Sequence, residues 1–147
     1  MKIKIKTFKN ENMAAQIFVN LPVKDLNKSI EFFTSLGYSF NPQFTDEKAT
    51  CMIVGDNIFV MLLVDSFFKT FVPNEVADAS KSTESIICLS SESRVKVDEM
   101  VRKAVDAGGK IYKEPQDHGF MYGHGYQDLD GHLWEIMWMD NSATNAG

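Results

Sequence analysis

The sequence predicts an α+β fold made of two tandem βαβββ modules whose strands build a cupped mixed sheet. Three observations carry this expectation: short apolar runs bounded by turn residues, two longer segments with apolar residues at helical spacing, and the same order of elements in both halves of the chain. A unit that cannot cover its own sheet is expected to pack against its copy.

The first strand is Ile17 to Val23 (I-F-V-N-L-P-V), β-branched and apolar, with Pro22 setting its end at a sheet edge or bulge. Asp25 suits a helix N-cap because its carboxylate accepts from free first-turn amides. Leu26, Ile30, Phe33 and Leu36 then follow at helical spacing until Gly37 supplies a left-handed stop. Three strands are expected next, at Tyr38 to Asn41, Ala49 to Val54 and Ile58 to Val64, the last two joined by the Gly55-Asp56-Asn57 turn. From Asp65 the pattern lapses into a polar, broken segment that still carries Phe67, Phe68 and Phe71, which either covers the core's edge or lies as a lid over a pocket. The second half repeats the first: a strand at Ser85 to Ser90, a cap at Ser93, and a helix with Val97, Met100, Val101 and Ala104 on one face. Gly108-Gly109 stops that helix, and strands follow at Lys110 to Lys113, Phe120 to Asp128 and Leu133 to Met139. The domain expectation is therefore an extension over residues 1–14, expected to be disordered, and one domain over 15–140. Its modules are 15–64 and 84–140, and 65–83 connects them. The lysine-rich opening leaves a translation start at Met13 as open as one at Met1.

A formal charge of −5, with no dense Lys/Arg stripe, excludes nucleic acid and an anionic membrane surface as partners, since both require a basic footprint. No apolar run approaches the roughly 18 to 20 residues of a spanning helix, and no secretory leader is evident, so a cytoplasmic protein is expected. Cys51 and Cys88 lie in apolar runs and read as small buried hydrophobes.

The opening F-V-N-L-P-V-K-D-L-N-K-S-I-E-F-F-T-S-L-G-Y and the closing D-L-D-G-H-L-W-E-I-M resemble the vicinal oxygen chelate superfamily, which includes glyoxalase I, bleomycin-resistance proteins and extradiol dioxygenases. The resemblance covers about residues 15 to 140. More narrowly, E-P-Q-D-H-G-F-M-Y-G and D-L-D-G-H-L-W-E-I-M-W-M-D are similar to a bacterial group of lactoylglutathione lyase-like proteins. It implies a glyoxalase-like fold, a small-molecule ligand in the sheet cup, a homodimer and, if the chain is an enzyme, a lactoylglutathione lyase-like one.

The resemblance also implies a divalent metal cofactor held from four strand positions. Glu135 matches the last of these. The other three fall on Phe18, Met61 and Ser85 or Ile86, and phenyl and thioether groups do not replace imidazole or carboxylate ligands. A site with no metal is the expectation; a relocated one would use Glu135 with His118 or His124. His132, at a hairpin shoulder, reads as a solvated turn residue. Strand alternation sets Leu133, Glu135 and Met137 on one face and Trp134 and Ile136 on the other. Glu135, as catalytic acid or base or as polar anchor, would lie in the cup with Phe18, Asn20, Met61 and Leu133. Burial there raises a carboxyl's pKa unless a donor compensates, and Asn20 is the candidate partner. Tyr122, His124 and Tyr126 share one strand face and complete the candidate substrate-binding set. Three functions remain open: a glyoxalase-like small-molecule binder, a metal-free sequestering protein of bleomycin-resistance type, and a metal-dependent lyase or dioxygenase with relocated ligands.

Overall fold

The computed structural model describes residues 11–144; the first ten residues of the expected extension lie outside them. Strand β1 (Ile17–Val23), helix α1 (Leu26–Ser35) and strands β2 (Ser39–Asn41), β3 (Ala49–Gly55) and β4 (Ile58–Val64) form the first module. Helix α2 (Asp65–Lys69) opens the connector. The second module holds β5 (Ile86–Ser90), α3 (Arg94–Asp106), β6 (Gln116–Asp117), β7 (Met121–Gln127) and β8 (Leu133–Met139), followed by the short α4 (Asn141–Thr144). Each module makes its own four-stranded mixed sheet, in the orders β1-β4-β3-β2 and β5-β8-β7-β6. The first strand of each runs parallel to the last, and the remaining pairs are antiparallel.

Local signals explain the helices. Asp25 accepts from the Lys28 amide at 3.1 Å and Ser93 from the Lys96 amide at 3.1 Å, so a capping side chain starts both long helices. Gly37, at φ 103°, follows the first one.

The helices lie against one face of both sheets, and the core runs continuously through the two modules. Phe33 of α1 meets Trp134 of β8 at 5.2 Å between ring centroids, and Trp134 stacks on Tyr126 of β7 at 6.3 Å and 6°. These three residues are almost wholly buried together with Val97 and Val101 of α3. Burying each such side chain contributes roughly 1.5–3 kcal/mol, so the first module's helix is held in large part by the second module's sheet. The opposite face of each sheet is left open.

Three segments depart from expectation. The connector begins as a helix, with Phe67 and Phe71 edge to face at 5.0 Å and Lys48 over the Phe67 ring. Lys110 makes one bridge to Gln127 rather than a strand through Lys113, and pairing resumes only at Gln116–Asp117. Pro115 precedes that strand and has no amide to donate. Cys51 is buried as expected, whereas Cys88 is exposed on the open face of β5.

Candidate functional site

Cross-strand register decides which residues share the open face of the second sheet. Cys88, Glu135 and Gly125 lie side by side, as do Gly123 and Met137. Trp134 and Ile136 point to the helices, so the alternation expected for β8 holds. A pocket of about 190 Å³ opens on this face. Lys113, Glu135, Gln116 and His118 line its polar side, and Met121 and Met137 flank the bare backbone of Gly123.

Glu135 is compensated by Lys113, whose Nζ lies 2.5 Å from Oε1, and not by Asn20. The Asn20 amide instead donates to the Phe18 carbonyl at 3.2 Å. Tyr112 sits over Gly125, where an added Cβ would come within 2.9 Å of the phenol oxygen. Its buried hydroxyl makes no hydrogen bond of standard geometry. Burial first, and then the charge of Glu135, push its pKa up to about 12, which keeps it a neutral phenol. The Cys88 thiol is also pushed up, by burial and then by Glu135, and is therefore a poor nucleophile.

The remaining candidates are dispersed. Phe18 and Met61 lie on the open face of the first sheet, where Phe18 is half exposed and stacks on Phe59 at 4.9 Å. Asn20 pairs with Met61 on that same face, as expected, and with Leu133 also reaches a separate cleft between the modules. Tyr122, His124 and Tyr126 do share a face, but it is the helix face, opposite Glu135. Tyr122 donates to Asp98 at 2.6 Å, and Tyr126 is fully buried. As donors to Glu135 these three are corrected to core and helix-packing residues. His118 reaches the Glu135 pocket because Gly119, at φ 81°, turns the chain back on itself; His124 does not.

Sequence reading missed a buried carboxylate at the module junction that accepts three hydrogen bonds. The turn D-L-D-G-H fastens one module to the other. Asp128 is buried and accepts from the Asp130 amide (2.9 Å), the His132 amide (3.0 Å) and Trp134 Nε1 (2.9 Å). Burial raises its pKa, against the lowering effects of His132 and those hydrogen bonds. Asp130 in turn accepts from the Lys24 amide at 2.9 Å and Ser29 Oγ at 3.4 Å, both in the first module. The expected solvated role of His132 is also corrected: its Nε2 donates to the Pro22 carbonyl at 2.7 Å, across the same junction. The signal was available as two carboxylates two residues apart in a turn, with an indole at the following strand.

A family model described as bleomycin resistance protein-like N-terminal matches residues 16–55. A hypothetical protein from S. aureus is 30% identical, with 86% of this chain and 95% of that one covered and a TM-score of 0.72. A glyoxalase/bleomycin resistance protein/dioxygenase family enzyme from Burkholderia phytofirmans PsJN superposes at a TM-score of 0.69 with 13% identity, over 83% of this chain and 96% of that one. The chain belongs to the vicinal oxygen chelate superfamily. TnmS3, an antibiotic binding protein from Streptomyces sp. CB03234, shares this vicinal oxygen chelate fold at a TM-score of 0.62 and 14% identity, with 87% and 98% coverage. No curated protein matches the chain in sequence.

The metal that the vicinal oxygen chelate superfamily implies does not fit these residues. Of the four strand positions only Glu135 offers a ligand, and it is committed to Lys113. No group of three or more His, Cys, Asp or Glu side chains arranged to hold a metal ion occurs among the described residues.

Proposed function

We propose that the protein is a metal-independent small-molecule binder that sequesters its ligand on the open face of the second sheet. The observation that carries this reading is the Glu135–Lys113 pair at 2.5 Å, which stands where the superfamily has a metal ligand and faces a slot floored by Gly123. The pair offers a ligand one acceptor and one donor side by side, with Gln116 and His118 adding polar contacts. The thioethers of Met121 and Met137 are soft, adaptable walls suited to an aromatic or irregular apolar surface. The likeness in fold to an antibiotic-binding protein is consistent with this role.

The test is elemental analysis of the untagged protein after incubation with Zn, Ni, Mn and Fe(II). The expected result is far less than one metal per chain under every condition. A stoichiometric metal removed by Glu135→Gln would overturn the reading and favour a lyase or dioxygenase.

The same proposal includes a homodimer that covers the open faces, supported by the exposed Phe18 on β1 and Ile86 on β5. It also places the protein in the cytoplasm. Two free cysteines suit a reducing compartment, and no helix among the described residues is long and apolar enough to cross a membrane.

A further inference from the structure

The two modules enclose a second cavity, distinct from the Glu135 pocket. A cleft of about 210 Å³ lies where β1 passes the starts of β5 and β8. Val19, Leu21 and Leu133 line it from the sheets, and Phe68, Ala77 and Ala79 roof it from the connector. Protein interiors are normally filled to near crystal density, because an unfilled apolar gap forfeits dispersion contacts on all its walls. Here the roof is pressed down yet the space remains. An added Cβ on Gly131 would lie 2.7 Å from the backbone of Ala79 and Ser80, so the connector runs directly on that glycine, and Lys24 ties Asp78 at 3.6 Å. Ala77 and Ala79 are the small side chains of this roof, and Ser82, Thr83, Glu84 and Ser85 complete the connector's side of the cleft.

The cleft adjoins a smaller pocket of about 160 Å³, and Pro22, Ala77, Ala79 and His132 line both. Asp65, Asp78 and Asp130 wall the smaller pocket, opposed by Lys24 and by His132, whose Nε2 is occupied by the Pro22 carbonyl. The Asp65 carboxyl is pushed up by burial and then by the charge of Asp130, as expected where negative charge is under-compensated.

We propose that the cleft and the pocket beside it together bind an amphipathic amine, its apolar body in the cleft between β1 and the connector and its ammonium group in the carboxylate-walled pocket. Neither the Glu135 site nor the sequestering role is needed for it. An anionic ligand of the same shape meets three carboxylates and is rejected, and a neutral one lacks the charge-assisted hydrogen bond that an ammonium makes to an aspartate.

The test uses the full-length protein and n-alkylamines from butylamine to octylamine, with n-alkanols and n-alkanoates of equal length as comparators, measured by calorimetry and by amide chemical shifts. Amine affinity is expected to rise by about fourfold per methylene until the cleft is full. It should exceed that of the matching alkanol by about tenfold, with alkanoates showing no binding. Shifts are expected at residues 19–22, 77–85 and 130–133. Ala77→Phe, which fills the roof, is expected to abolish amine binding, and Asp65→Asn to narrow the preference for amine over alkanol. The proposal is overturned if alkanoates bind as well as amines, if Ala77→Phe binds amines unchanged, or if the shifts fall at residues 113–123 and 135–137. The shift map on the unmodified chain decides the matter alone should Ala77→Phe not fold. It also separates failure here from failure of the Glu135 reading.

Discussion

Asp128→Ala should be the most damaging single substitution at the junction of the modules. Asp128 accepts three N–H groups, two from its own turn and one from the indole of Trp134, which is fully buried. Leaving the indole N–H buried without a partner costs about 1–3 kcal/mol, and each lost turn hydrogen bond about 0.5–1.5 kcal/mol. The sum is about 2–6 kcal/mol. Relief of the buried carboxylate's own desolvation offsets part of it, so about 3 kcal/mol is expected. For a domain of this size that is a large share of total stability, typically about 5–15 kcal/mol. Urea unfolding followed by far-ultraviolet circular dichroism at pH 7 measures it directly. Trp134→Phe removes the indole donor, so in that background Asp128→Ala should cost about 1–3 kcal/mol less. A cost below about 1 kcal/mol, or an equal cost in both backgrounds, would refute the assignment of Asp128 as the group that satisfies Trp134.

Two further outcomes follow from the same geometry. Gly131→Ala, with φ 94° and no room beside Ala79 and Ser80, should destabilise by about 2 kcal/mol or more and expose residues 65–83 to limited proteolysis. Gly37→Ala, at φ 103° in open space, should cost only about 1 kcal/mol and leave the connector protected. Arg94 grips Asp117 with two hydrogen bonds of 2.8 and 3.0 Å and, helped by the Gly119 amide at 2.9 Å, lowers its pKa from 3.8 to about 2. Because the folded-state value is the lower one, the stabilisation is complete above about pH 4 and lost as pH falls towards 2. Carboxyl titration by NMR should show the Asp117 midpoint rising in Arg94→Ala towards the ordinary range, with the Gly119 amide keeping part of the depression; an unchanged midpoint would remove Arg94 as the main cause.

The order and type of most elements were legible because period-two apolar runs, caps and stop glycines are local signals. The face of β7 was not. In M-Y-G-H-G-Y-Q the tyrosines and the histidine look like pocket donors, yet Gly125 pairs with Glu135, so the glycines floor the open face and the aromatic residues meet the helices. Alternation gives two sets of residues but not their directions, which depend on register across the Asp128–His132 turn. Lys113 was missed as the partner of Glu135 because it comes from an irregular segment that no periodicity describes. The connector helix was illegible for a related reason: its five residues are too few to show a helical pattern.

The chain's two tryptophans lie on the same strand and on the same side of it, yet in opposite surroundings. Trp134 is sealed at the module junction with its N–H on Asp128, while Trp138 lies beneath the Arg94 guanidinium at 5.1 Å. The protein thus carries two built-in optical reporters. Loosening of the β6–β7 hairpin should alter the emission of Trp138 alone, and parting of the modules should admit water to Trp134. Single-tryptophan variants would then time the two events separately.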